Sequence, residues 1–253
     1  MIISPSEKQS LIVSLLVILY ILECGVPYFD TFKSKAAHTL RNGIVIGLNA
    51  ILLNLFLVPV ALYSMNTGWG LFSRISLDWK IELVLTIVAI DLLTYFLHVW
   101  FHRSPLLWRF HRMHHSDTEM DVTTGARFHI GEHAFSLLIR CVLCSVLAVK
   151  SHFVILYELL FLSNVFIHHA NISVGAKLDR LYRIFLTSPD MHKVHHSDVQ
   201  EETNSNYTSL FSLWDRIFRT YRISRDPKHI TYGVKGLEND QTVPQIQLRS
   251  AIK

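Results

Sequence analysis

Two histidine blocks of the form H-x-x-H-H, HRMHH at 111–115 and HKVHH at 192–196, lie about eighty residues apart, and most of the chain between them is apolar. An H-x-x-x-H pair, His98 and His102, stands just ahead of the first block, so 98–115 holds five of the fifteen histidines in 253 residues. If these imidazoles share one site, the apolar chain between them must leave that place and return to it. No other feature constrains the fold as much. In a helix, residues i, i+3 and i+4 project from one side, so each block offers three imidazoles and the pair two more. Ser104-Pro105 precedes the first block and Ser188-Pro189 the second. An N-cap followed by proline at the first helical position predicts that each block is carried on a helix.

The returning chain reads as membrane spans. Half of the residues are hydrophobic and only 17% are charged, with a mean hydropathy of +0.30, which is wrong for a soluble protein of this size. A bilayer core of about 30 Å takes about 20 apolar residues in a helix. Candidate spans are 10–24, 43–64, 81–101, 134–149 and 152–167. The first is short and ends on Glu23, so it reads as interfacial or tilted, and as an uncleaved anchor rather than a cleaved signal. The last two form a hairpin turning at Lys150 and Ser151, while the last third reads as a polar domain, helical at first and then loop-rich. The span 81–101 delivers His98 and His102 to one face, and the hairpin departs from that face and returns to it. Lys33, Lys35, Arg41, Arg103, Arg109, Arg112 and Arg127 fall on that face, against Lys8, Arg74, Lys80 and Lys150 opposite. The positive-inside rule then makes the histidine face cytoplasmic. The net charge of +4 fits this topology, and no base-reading module supports nucleic-acid binding. Cys24, Cys141 and Cys144 lie in or beside apolar segments and predict no disulfide framework. The Cys141/Cys144 spacing reads as one turn of an apolar helix.

Eight convergent imidazoles exceed the three or four ligands of one zinc and suit two metal ions. The clusters contain no thiolate and no Glu-x-x-His pair, and imidazole alone suits iron, zinc, copper or nickel. Asp91, Tyr95, His98 and His102 fall at i, i+4, i+7 and i+11, one stripe of a helix. Asp91 in mid-span needs a partner, and two roles are open: an acceptor behind a ligand imidazole or a bond between helices. His129 and His133 form another H-x-x-x-H, with support of the site, substrate access, metal contact and packing all open to them. Arg127 and Glu132 read as interfacial anchors of that segment.

From about Asp91 to Tyr221 the chain resembles the fatty acid hydroxylase / sterol desaturase superfamily. The resemblance is carried by HVWFH at 98–102, WRFHRMHHSDTEMD from Trp108, RFHIGEH from Arg127, IHHAN at 167–171, TSPDMHKVHHSD from Thr187, and ETNSNY followed by WDRIF. It implies an all-α polytopic membrane bundle with a cytoplasmic helical cap around a histidine-rich dinuclear iron centre. The implied ligands are His98, His102, His111, His114, His115, His192, His195 and His196, with another from His168 or His169. Asn164, one turn before His168, stands where some relatives place a further ligand. Thr208 and Arg219 stand where relatives have glycine, which puts the local turns in question.

The resemblance further implies an O2-dependent enzyme that hydroxylates or desaturates a lipid drawn from the bilayer. It implies an external electron donor of cytochrome or ferredoxin type, since the chain has no Gly-rich dinucleotide fingerprint of its own. Alternatives are a pterin-dependent ether-lipid monooxygenase of the same superfamily and a non-enzymatic metal-binding or transport protein. The expected organisation is membrane helices at 1–80, a catalytic domain at 81–225 and a tail at 226–253. The expected location is the inner membrane of a bacterium or the endoplasmic reticulum of a eukaryote.

Overall fold

A computed structural model describes residues 3–29, 34–57, 70–224 and 227–237. Among them there are helices and no strand beyond two isolated bridges, and five helices are long and apolar enough to cross a membrane. Helix α1 (Pro5–Gly25) opens on a capping box between Ser4 and Glu7, with Pro5 at its first turn. The cap draws the polar residues 6–8 into the helix. Its 21 residues span about 31 Å at 1.5 Å each, enough to cross, so the reading of a short interfacial segment gives way to a full-length helix.

Helix α2 (Lys35–Leu52) continues as one π turn (Leu53–Leu57). It begins earlier than the span expected at 43–64, and 58–64 lie outside the described residues, as do Lys33 and the tail beyond 237. Its buried stripe is His38, Asn42, Val45 and Asn49, while Leu40, Ile44, Leu48 and Ile51 are exposed. That is the inverse of a soluble amphipathic helix, and it suits apolar side chains in lipid with polar ones turned to the protein.

After the single turn α3 (Leu71–Arg74), helix α4 (Trp79–Arg103) carries the first histidine pair at its end. Ser104 closes α4 and caps α5 (Pro105–His115), so one residue turns the chain back toward its own imidazoles. A 3-10 turn (Val122–Ala126) leads to α6 (Ile130–Leu147) and α7 (Ser151–His169). The hairpin turns at Ala148, whose φ is +55°, slightly ahead of the expected Lys150. The pair Lys150–Glu82 ties the ends remote from the histidines, and Lys8–Glu158 ties the start of α1 to the middle of α7, both at 2.5 Å. The cap holds α8 (Ala176–Tyr182), α9 (Pro189–His195), α10 (Gln200–Thr203) and α11 (Leu213–Ile217).

Candidate metal centre

The ends of α4 and α7, the last turns of α5 and the whole of α9 converge. They bring nine imidazoles into two groups: His98, His102, His111, His115 and His195 in one, and His114, His169, His192 and His196 in the other. Each residue offers a ligand atom within 4.8 Å of the others in its group. The two H-x-x-H-H blocks cross over. The first gives its i and i+4 members, His111 and His115, to the five-histidine group and its i+3 member, His114, to the four-histidine group. The second does the reverse, with His192 and His196 in the smaller group and His195 in the larger. Residues i and i+4 differ by about 40° around a helix, whereas i+3 lies about 60° to the other side of i. Each block therefore reaches two centres, rather than presenting three imidazoles to one.

The donor set fits metal ions. Nε2 atoms face one another at 3.0 Å between His98 and His111, His98 and His195, and His169 and His192. They do so at 3.2 Å between His111 and His115, His114 and His169, and His192 and His196. Two ligands at right angles around a metal, each about 2.1 Å from it, lie about 3.0 Å apart. Burial pushes His114, His115, His192 and His196 well below the ordinary histidine range, and neighbouring imidazoles push the same way. Burial, then His111, carries His195 down to about 3. These five rings are therefore neutral, and bare lone pairs facing each other, as in the His192–His196 pair, are repulsive unless a cation lies between them.

Their tautomers are set from outside. His98 Nδ1 donates to Tyr207 O (2.6 Å), His195 Nδ1 to Ser205 O (2.7 Å), His169 Nδ1 to Val165 O (2.7 Å) and His111 Nδ1 to Glu132 Oε1 (2.8 Å). Each bond puts the proton on Nδ1 and turns the Nε2 lone pair inward. His114 is held by stacking on Phe128 at 4.3 Å and His115 by stacking on His196 at 4.4 Å.

His168 lies outside both groups. Its ring packs 3.9 Å from that of His192, and its Nδ1 accepts from Asn164 Nδ2 at 3.3 Å. Asn164 also donates to Ser209 O and Thr187 O and accepts from Tyr182, so it ties α7 to the cap and stands in neither group. His129 caps α6 by accepting from Gly131 N (2.9 Å), and His133 packs on Phe128; neither joins a group. Asp91 meets no imidazole. It accepts from Trp214 Nε1 (2.8 Å), Tyr157 Oη (3.2 Å) and Phe211 N (3.3 Å), so the helix-to-helix alternative describes it and the imidazole-acceptor role does not. Phe211 and Trp214 from the cap and Tyr157 from the hairpin claim the carboxylate.

Sequence reasoning did not find Glu132 as the acceptor behind His111, nor the buried polar set beneath the site. Glu23, at the end of α1, accepts from Val122 N, Asn171 N and Lys35 Nζ. Asp117, two residues past the first block, accepts from His38 Nε2 (2.9 Å) and Thr124 Oγ1 (2.7 Å), with Asn42 Nδ2 at 3.3 Å. Burial alone would raise Asp117, but His38 and Arg127 outweigh it and hold the carboxyl well below its usual range. The one sequence signal for this set was ionisable residues inside apolar helices, at Glu23 and His38. Thr208 and Arg219 resolve differently. Arg219 does adopt a positive φ of +60°. Thr208 does not, and its hydroxyl donates to Asp215 at 2.5 Å, a bond glycine could not make.

A membrane-type helical bundle that gathers nine imidazoles, eight of them buried, in two metal-sized groups defines the class. The particular family follows from comparison: residues 83–220 match fatty acid hydroxylase, and the chain belongs to that family. It is 27% identical over 191 residues to the alkylglycerol monooxygenase of Xenopus tropicalis, covering 73% of this chain and 40% of that protein. It is 25% identical over 213 residues to the alkylglycerol monooxygenase of Danio rerio (80% and 45%) and 26% over 156 residues to ornithine lipid hydroxylase OlsE of Rhizobium tropici (61% and 46%). The chain spans less than half the length of these relatives, and no solved structure matches it.

Proposed function

We propose that this protein is a membrane-embedded oxygenase that hydroxylates or desaturates a lipid, with two iron ions held by the two histidine groups. The observation that carries the reading is the division of nine imidazoles, eight of them buried, into a set of five and a set of four where the ends of α4 and α7 meet α5 and α9. A histidine-bound iron pair supplies O2 activation for attack on an unactivated C–H bond. The chain's own residues do the rest. Tyr207 O, Ser205 O, Val165 O and Glu132 fix the ring tautomers, and the spanning helices keep bulk water from the site.

Electrons come from a separate cytochrome- or ferredoxin-type partner. The lipid reaches the site laterally, between α2, α4 and the α6–α7 hairpin, and the histidine face is cytoplasmic. A crosslinkable lipid that labels none of those helices would exclude the lateral route.

Lipid analysis of cells with and without the gene product, paired with metal analysis of the purified protein, tests the whole reading. Two irons per chain and one altered lipid class are expected. Zinc alone, with no lipid change, would overturn it. A second reading, ether-lipid oxidation with a reduced pterin as electron source, is favoured by the similarity to alkylglycerol monooxygenases. Turnover of an alkylglycerol that depends on added tetrahydropterin would select it.

A further inference from the structure

We infer that part of the cap is itself immersed in the membrane: the segments 178–185 and 211–218 form a collar seated in the acyl region of the leaflet on the histidine side. The expectation of a polar last third gives no hint of this, because the apolar residues concerned are scattered over α8, α11 and the turns beside them.

Depth is fixed by where the collar touches α4. Asp91 is the midpoint of that 25-residue helix, about 18 Å from either end at 1.5 Å per residue. There it receives both the Trp214 indole N–H and the Phe211 backbone N–H. Phe218 stacks on Tyr95 with its ring 5.2 Å from that of Tyr95 and 5.0 Å from that of Phe96, and Tyr95 shares a hydrogen bond with Thr220 at 2.9 Å. Leu210 belongs to one buried cluster with Ile90, Phe153 and Tyr157, and Leu186 and Phe211 pack against it. Phe96 and Trp100, nearer than Asp91 to the histidine end of α4, are still about half exposed at 47% and 52%. These are lipid-facing positions, so the collar lies at or below the level of the lipid-exposed surface of α4 and continues it.

The non-helical backbone at that depth is satisfied internally, as a bilayer requires. Thr187 N donates to Leu210 O (2.9 Å), Ser212 N to Phe185 O (3.1 Å) and Phe211 N to Asp91. The outer surface is apolar: Leu178 is 55% exposed, Leu181 59%, Phe185 70% and Ile217 53%. A patch of this kind on a folded protein marks a surface that something covers. The charges beside it name the occupant. Lys177, Arg180, Arg216, Arg219 and Arg222 are all exposed, while both carboxylates of the two segments, Asp179 and Asp215, are fully buried. Apolar side chains fringed only by cations fit acyl chains below and lipid phosphates above, with the long basic side chains reaching to the headgroups. This accounts for the carboxylate in mid-span: Asp91 holds the collar in place.

The test uses the full-length protein in phosphatidylcholine proteoliposomes, photolabelled with a carbene precursor dissolved in the acyl region, with adducts mapped by mass spectrometry. The expected adduct density on 178–185 and 211–218 is at least about a third of that on the lipid-facing residues Phe96 and Trp100, with none on α10, which carries exposed polar residues. A lower density on the collar, while α4 labels normally, would overturn the inference. That result would also follow if a second copy of the chain, or another protein, covered the face. Absence of adducts from the spans as well would overturn it together with the membrane reading.

Discussion

Removing the Glu132 side chain should separate the two histidine groups in a measurement. Its carboxylate accepts a hydrogen bond from His111 Nδ1 at 2.8 Å, in a site where Glu132 is only 7% exposed. His111 belongs to the five-histidine group, and its Nε2 lies 3.0 Å and 3.2 Å from those of His98 and His115. Loss of such an outer partner lowers metal affinity about 10–100-fold, which is about 1.4–2.7 kcal/mol at one decade per 1.4 kcal/mol. His114, His169, His192 and His196 donate no hydrogen bond to Glu132, so the other group should keep its affinity. In Glu132→Ala, chelator titration followed by metal analysis should show two-step release, with one ion leaving at about 10–100-fold higher free-metal concentration than in wild type. Glu132→Gln keeps an acceptor oxygen and should fall between the two. The folding cost should be about 1–3 kcal/mol, because His111 Nδ1 is left as a buried donor without its acceptor. Release of both ions together at the wild-type concentration would refute the reasoning.

Asp91→Ala should do the opposite: stability falls by about 2 kcal/mol as Trp214 Nε1 and Phe211 N lose their buried acceptor, while metal affinity of the folded protein is unchanged, read by thermal unfolding beside metal titration. His169→Ala leaves three imidazoles in its group, so the ion there should bind more weakly and leave first on chelator titration, while His168→Ala should release both ions as wild type does; metal analysis along the titration decides. Arg219→Gly relieves a left-handed backbone and should stabilise by about 1 kcal/mol, seen as a raised unfolding midpoint in detergent. Stripping the metals should lower that midpoint, by about 2–4 °C for each kcal/mol of binding free energy lost, and re-addition should restore it.

Much of the site was legible in the sequence because histidine spacing and helix periodicity are local properties. Ser104-Pro105 and Ser188-Pro189 mark the starts of α5 and α9, and the apolar runs mark five helices, because caps and hydropathy act within a few residues. The need to return the chain to one face followed from the order of the runs. Helix bounds in the membrane were less legible. Lipid accepts apolar side chains all round, so the edge of a span depends on which polar residues find partners inside, as His38 and Asn42 do with Asp117.

Everything that depends on two distant segments meeting was decided by the tertiary structure. The division of each H-x-x-H-H block between two groups needs the facing helix, since the 60° offset of an i+3 residue has no meaning until something lies in that direction. Asp91 shares a stripe with His98 and His102, yet its carboxylate is claimed by Trp214 and Phe211, more than a hundred residues away. Glu132 had no partner in its own segment and finds His111 only when α6 packs beside α5. The sequence by itself determined which residues are available as ligands and which apolar runs are long enough to span a membrane. Which imidazoles face each other, and which carboxylate stands behind them, was set by packing, because hydrogen bonds and coordination distances are properties of pairs in space.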